Sequence, residues 1–238
     1  MAKAGSVRTM SKQIINIGVP TLHCYDKLVR LCETLANDVH EKLVPRFTIV
    51  DNGGSLAESN WLARLQQLPV TIEILVPPSN LGVAASWNWL LQHLGRCIIS
   101  NDDALFSLAD AQAFLDAAKI SPETIVFNTA APCNAWSVFF VNRAKEWLAM
   151  GGFDEAFSPA YFEDNDAYWR LKIAGNPCRL VELKDWQHDQ SSTLKQGDAQ
   201  YHRDHQLSFH RNSLYYEQKW GGAPGTEQFV LPFNGMTA

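Results

Sequence analysis

Apolar residues along this chain fall into short unbroken runs that alternate with longer segments where they recur every three or four positions, the contrast between buried strands and amphipathic helices. Gln13–Val19 (Q-I-I-N-I-G-V) is a strand-like run ended by Pro20-Thr21, and Leu28, Leu31, Cys32 and Leu35 then share one helical face. Arg46–Val50 forms a second strand and ends in Asp51-Asn52-Gly53-Gly54-Ser55, a turn rich in residues that tolerate positive φ. Leu56–Leu68 reads as a helix and Thr71–Val76 as a third strand, stopped by Pro77-Pro78. From Gly82 onward Val83, Trp87, Leu90, Leu91 and Leu94 trace a 3.6-residue stripe, and Arg96–Ser100 is the fourth strand. Strands alternating with helices at this spacing specify an α/β fold with a mainly parallel central sheet and helices on both faces.

The second half has another texture. A helix carrying Leu108, Ala111, Leu115 and Ala118 is followed by short apolar strands at Thr124–Phe127 and Ser137–Val141, then a helix over Arg143–Met150 that Gly151-Gly152 would cap. An aromatic and acidic stretch, Tyr161-Phe162-Glu163-Asp164-Asn165-Asp166, opens another helix, and Arg179–Leu183 reads as the last strand.

Two acidic groups carry candidate chemistry. Asn101-Asp102-Asp103 follows the fourth strand directly, at the end where open α/β sheets bind ligands, and adjacent carboxylates suit a hard divalent cation such as Mg2+ or Mn2+ carrying phosphates. The same pair also reads as an acidic N-cap for the helix opened by Ser107-Leu108-Ala109-Asp110, and the residues alone leave both readings open. In the second group, Glu163 and Asp166 are explained by a helix N-terminus and by an Asp166–Arg170 pair four residues apart, worth about 0.3–0.5 kcal/mol. Asp164, between an aromatic loop and an aromatic-lined helix, is the carboxylate placed to accept a proton.

Composition narrows the setting. With 238 residues, 46% of them apolar, the chain is long enough for one sizeable core and need not be split. A formal charge of -5 gives no general attraction to nucleic acid. No apolar run reaches the roughly 18 residues of a membrane span, and the first residues lack the apolar core of a signal peptide, so a flexible lead over 1–12 and a cytoplasmic location are expected. Cys24, Cys32, Cys97, Cys133 and Cys178 are odd in number without a C-x-x-C pair, so reduced buried thiols are expected.

Six motifs in order resemble a family. Val19-Pro20-Thr21, Val50-Asp51-Asn52-Gly53, Ser79-Asn80-Leu81-Gly82, Asn101-Asp102-Asp103, Gly151-Gly152-Phe153-Asp154-Glu155 and Phe162-Glu163-Asp164-Asn165-Asp166 are similar to those of GT-A glycosyltransferases of the family 2 type, bacterial or phage, over roughly 15–188. The resemblance implies a single Rossmann-like GT-A domain over 13–195, with a nucleotide-sugar half (13–105) and an acceptor half (106–195), followed by a C-terminal helical segment and tail (196–238). It implies a nucleotide-sugar donor, UDP-sugar favoured, a Mn2+ or Mg2+ ion and inversion at the anomeric carbon. By position, Pro20, Thr21, Asp51, Asn80, Gly82 and Asp102 would line the nucleotide-sugar, Asp103 and His188 would hold the metal, and Asp164 would be the general base with Glu163 beside it. The acceptor would be a hydroxyl on a glycan, a lipid-linked saccharide or another polymer. A modified DNA base, as in phage enzymes working in the host cytoplasm, is disfavoured by the net charge.

Rival classes are a nucleotidylyltransferase, against which Pro20-Thr21-Leu22-His23 offers no glycine-rich basic loop, and a non-catalytic sugar-nucleotide binder on the same fold. Beyond His188, the His202, His205 and His210 group reads as helix surface rather than a metal site, since H-x-x-H lacks a third ligand in step. Arg203, Arg211 and Lys219 add a local basic surface, and the tail with Phe229, Leu231 and Phe233 either packs back on the domain or forms a homodimer contact.

Overall fold

The computed structural model describes residues 12–38, 40–130, 136–176, 178–189, 197 and 199–236. Most of the N-terminal lead, Cys133, and the Gln190-Ser191-Ser192-Thr193 continuation of the His188 motif lie outside the described residues.

Seven strands form the main sheet: β1 (Gln13–Thr21), β2 (Leu43–Asp51), β3 (Thr71–Leu75), β4 (Cys97–Ser100), β6 (Val126–Asn128), β7 (Val138–Val141) and β8 (Arg179–Leu180), in the order β3-β2-β1-β4-β7-β6-β8. Strands β1 to β4 run parallel to one another, as the alternating pattern requires, whereas β7 is antiparallel to both β4 and β6. A separate two-stranded sheet pairs β5 (Ala104–Leu105) with β9 (Gln187–His188), antiparallel. The helices are α1 (Tyr25–Asn37), α2 (Asn60–Gln66), α3 (Val83–Leu94), α4 (Leu108–Ile120), α5 (Ala144–Ala149), α6 (Glu163–Ile173) and α7 (Ala199–Trp220).

Side chains alternate across a strand, so each apolar run feeds two cores. Ile15, Ile17, Val19, Phe47, Ile49, Ile98, Val138 and Phe140 pack with α1 and α4, whereas Val50, Cys97, Ile99, Phe139 and Val141 pack with Trp87, Leu90 and Leu91 of α3, Trp147 of α5 and Leu171 of α6. Buried on both faces, these strands need apolar residues at every position, and hence they read as unbroken runs. A third cluster, Phe157, Tyr216 and Trp220, lies beneath α7.

The expected helix over Leu56–Leu68 is divided. A 3-10 turn at Leu56–Glu58 precedes α2, because Ser59 is extended (φ -94°, ψ 155°) and its hydroxyl donates back to the Leu56 carbonyl at 2.7 Å. The expected strand Arg179–Leu183 keeps only two residues in the sheet. Its continuation is drawn off by Asp110, whose carboxylate accepts from the Lys184 (2.8 Å) and Asp185 (3.2 Å) amides and so directs the chain toward β9. Among the described residues no helix is long and apolar enough to cross a membrane.

Candidate active site

The parallel strands β1, β2 and β4 end at one sheet edge, and the residues that follow them meet there. Pro20 is half-buried opposite Val50. Thr21, the last residue of β1, donates its hydroxyl to Asp102 at 2.7 Å, joining the first motif to the fourth. Asp51 ends β2 fully buried, and its oxygens accept from the Tyr25 hydroxyl (2.8 Å) and the amides of Gly54 (3.1 Å) and Leu56 (2.9 Å). Its carboxylate therefore organises the turn, and contact with a base or ribose would require one of these donors to share it. Gly53 lies so close to β1 that a Cβ would stand 1.8 Å from the Leu22 carbonyl oxygen, so only glycine fits.

Asn52 reaches across the edge. Its side chain accepts from the Leu81 amide (3.0 Å) and donates to Ser86 of α3 (2.9 Å), while exposed Asn80 accepts from the Gly82 amide at 2.9 Å. Gly82 itself, at φ 78°, lies against the loop ahead of α6: a Cβ there would be 2.7 Å from the Pro159 carbonyl oxygen, the same oxygen that takes the Val83 amide at 2.7 Å.

Asp102 and Asp103 stand between β4 and β5 and do not cap α4. That role belongs to Ser107 and Asp110, which form a reciprocal capping box with both bonds at 3.1 Å. Burial raises the Asp102 carboxyl to about 7, with the Asp103 charge adding to the rise and the Thr21 hydrogen bond opposing it. The bridge between Ala104 and His188 brings His188 Nε2 to 3.1 Å from Asp103 Oδ1, and the Asp189 amide donates to the Asp103 carbonyl at 3.1 Å. Residues 85 positions apart are thus held as a carboxylate–imidazole pair. A carboxylate oxygen and an imidazole nitrogen are both donors a divalent cation can take. Among the described residues no group of three His, Cys, Asp or Glu side chains is placed to hold a metal unaided, so ligand oxygens would have to complete such a shell.

The second acidic group joins the first through β7. The Asn101 amide donates to the Ser137 carbonyl (2.8 Å), and the Trp136 amide donates to Asp164 Oδ2 (3.1 Å). Asp164, in the first turn of α6, also accepts its neighbour Asn165's amide at 2.8 Å. Glu163 is more deeply enclosed: its Oε2 has no hydrogen-bond partner, and burial first, then the Asp164 charge, pushes its carboxyl well above the ordinary range. A carboxyl raised on folding binds its proton more tightly in the folded state, so its contribution to stability is fully present below the unfolded value and is lost as pH rises through the folded one. Glu163→Gln, a neutral isostere, should melt like the native protein at pH 4 and above it at pH 8.5 in EDTA. An equal difference at both pH values would show that Glu163 does not titrate this way.

Asp166 departs from its sequence reading. The Arg170 pair is present at 2.7 Å, but Asp166 is fully buried and also binds Lys219 (2.6 Å) and the Trp220 indole N–H (2.9 Å), both from α7. Lys219 is shared with Asp154 at 2.6 Å. Burial would raise the Asp154 carboxyl, but Lys219 outweighs that and holds it below its ordinary value. The basic surface expected near Lys219 is therefore a buried ion-pair network. Asn88 also escaped the sequence reading: it exchanges two 2.8 Å hydrogen bonds with the Phe153 backbone and so fixes the Gly151–Glu155 motif. Its place in the apolar stripe of α3 was the available signal, since a buried amide there needs partners.

No family model matches the chain, and no curated protein sequence matches it. Solved structures do. The chain is similar to GalNAc-T7 bound to UDP, GalNAc and Mn2+ (TM-score 0.67, 8% identity, 87% of this chain and 48% of that one). It is also similar to TarS residues 1–349 from S. aureus with UDP-GlcNAc (0.56, 12%, 82% and 65%) and to the mannosyltransferase PcManGT from Pyrobaculum calidifontis with GDP-Man and Mn2+ (0.55, 14%, 73% and 56%). The chain thus spans about half to two thirds of the length of these structures. At such low identity the likeness speaks for architecture, and together with the parallel β3-β2-β1-β4 half-sheet and the motifs gathered at its edge it establishes that this chain has the GT-A fold.

Proposed function

We propose that this protein is a glycosyltransferase that moves a sugar from a nucleotide-sugar, with a UDP-sugar favoured, to an acceptor hydroxyl on a glycan, lipid-linked saccharide or other polymer, with inversion and with Mn2+ or Mg2+ as cofactor. The observation that carries this reading is the Asp103–His188 pair beside the same sheet edge to which Trp136 and Ser137 tie Asp164. The nucleotides and Mn2+ bound by the similar structures support it.

In this reading Pro20, Thr21, Asp51, Asn80, Gly82 and Asp102 line the donor, and Asp103 and His188 hold the cation. When bound, the cation neutralises charge on a departing nucleoside diphosphate. Asp164 takes the proton of the acceptor hydroxyl as its oxygen bonds to the anomeric carbon. The bond from that carbon to the diphosphate breaks with its electron pair on the leaving phosphate oxygen, so a single displacement inverts the centre without a covalent enzyme intermediate. Glu163, whose carboxyl burial and then the Asp164 charge push well above its ordinary range, stands beside that base.

Thermal shift with UDP, UDP-N-acetylglucosamine and GDP-mannose, each with Mn2+ or EDTA, tests the proposal, since a ligand that binds only the folded state at 100 times its Kd stabilises by about 2.7 kcal/mol. One nucleotide should raise the melting temperature with Mn2+ and not in EDTA. Asp103→Ala should lose that shift, while Asp116→Ala, on the exposed face of α4, should keep it. Equal shifts in EDTA would sink the metal assignment, and no shift with any nucleotide would sink the donor.

A further inference from the structure

We propose that α7 belongs to the catalytic apparatus of the reaction proposed above, with His205 as a positioning residue that fixes Tyr161 and, through the loop 158–162, the start of α6 that carries Glu163 and Asp164. This rests on the glycosyltransferase reading and adds a residue that lies outside its motifs.

Tyr161 (φ 79°) and Phe162 (φ 75°) are consecutive non-glycine residues in the left-handed region, immediately before Glu163. Such residues are strained and persist where surrounding contacts over-determine them. Here one face of α7 supplies those contacts. His205 Nε2 lies 2.7 Å from the Tyr161 hydroxyl, with the rings edge to face at 4.9 Å and 86°. One turn on, Phe209 meets Tyr161 at 5.4 Å and Phe162 at 5.2 Å. Asn212 donates to the Ala160 carbonyl at 2.8 Å, and Arg211 donates to that of Ser158. Positions 205, 209 and 212 follow the i, i+4, i+7 spacing of one helical stripe, so the loop is held by a single rigid element.

Burial raises the Tyr161 phenol, and the Glu163 and then the Asp103 carboxylates raise it further. At the head of α7, Tyr201 packs edge-on against His23, two residues after Thr21, at 5.7 Å and 84°. Helix α7 therefore touches the donor edge and the acceptor loop at once. Burial, with His202 adding to it, holds the His205 imidazole below its ordinary value. The neutral ring can accept the Tyr161 proton at Nε2. Without that bond the loop has a lower-energy backbone to relax to, and a displacement near 1 Å at a reacting group costs about 10²-fold.

The test uses the full chain with Mn2+ and two readings: UDP affinity by calorimetry, and turnover of UDP-N-acetylglucosamine or GDP-mannose followed by nucleoside diphosphate release. His205→Ala and Tyr161→Phe should each lower kcat about tenfold or more while UDP affinity stays within about twofold, and the double variant should be no slower than the slower single one, because both remove the same bond. His205→Gln, which can still meet the hydroxyl, should recover part of the loss. His210→Ala, exposed on the same helix, should behave as native. Should His205→Ala fail to fold, Tyr161→Phe and His205→Gln carry the comparison. Native turnover with His205→Ala unchanged, additive losses in the double variant, or an equal loss of UDP affinity would overturn the positioning role alone. Absence of turnover by the native protein with every donor would overturn the glycosyltransferase reading and this inference with it.

Discussion

Asp164→Asn is expected to cut sugar transfer by about 10²–10⁴-fold while leaving nucleotide affinity within about twofold, the range that general-base catalysis contributes when only the transition state uses the group. The side chain keeps its shape, and the Oδ1 contact from the Asn165 amide at 2.8 Å can persist. The Trp136 amide, 3.1 Å from the other carboxylate oxygen, then faces the NH2, and a flip of the group only exchanges which of the two backbone amides loses its acceptor. The fold should survive the loss of that one hydrogen bond, while the capacity to take a proton is removed. Measurement of transfer to a sugar acceptor, with UDP affinity determined on the same preparation, separates this from a donor-binding defect. Full transfer by Asp164→Asn together with its loss in Glu163→Gln would move the base to the neighbouring carboxyl.

Asp166→Ala should destabilise the protein by about 3–5 kcal/mol, the cost of breaking a buried ion pair by removing one partner. Arg170, Lys219 and the Trp220 indole all turn toward this carboxylate, and its deletion leaves Lys219, 6% exposed, with Asp154 alone. Urea unfolding monitored by tryptophan fluorescence reads the loss as a fall in midpoint at constant slope. A change under about 1 kcal/mol would mean that Lys219 and Arg170 find other partners. Because of this cost, Asp166→Asn is a poor companion control for Asp164→Asn, and exposed Asp116 serves better.

The first half of the fold was largely legible in the sequence because its strands are local, buried on both faces and followed at once by their motif residues. Strand direction in the second half was not: β6 and β7 are three and four residues long, and nothing in V-F-N or V-F-F-V distinguishes parallel from antiparallel pairing. Nor could spacing decide whether Asp102 and Asp103 cap α4, since that depended on whether Ser107 and Asp110 close their own box. The contribution of α7 was hidden for a different reason. Its buried stripe, Ser208, Asn212, Tyr216, Lys219 and Trp220, has helical periodicity but is mostly polar, so a search for apolar faces passes over it. His205 was visible as one of several histidines, and only the fold brings it to Tyr161, 44 positions earlier.

The contact between Gly82 and Pro159 bears on how this molecule could be re-engineered. The loop after Phe157 rests its backbone on Gly82, and the Pro159 carbonyl closes the first turn of α3 by taking the Val83 amide at 2.7 Å. A transplanted loop that does not offer a carbonyl at that point would leave the start of α3 short of an acceptor. Any side chain at position 82 would hold the transplant away from the edge. Chimeras should therefore treat 80–83 and 158–162 as one unit of exchange, although they lie far apart in the chain.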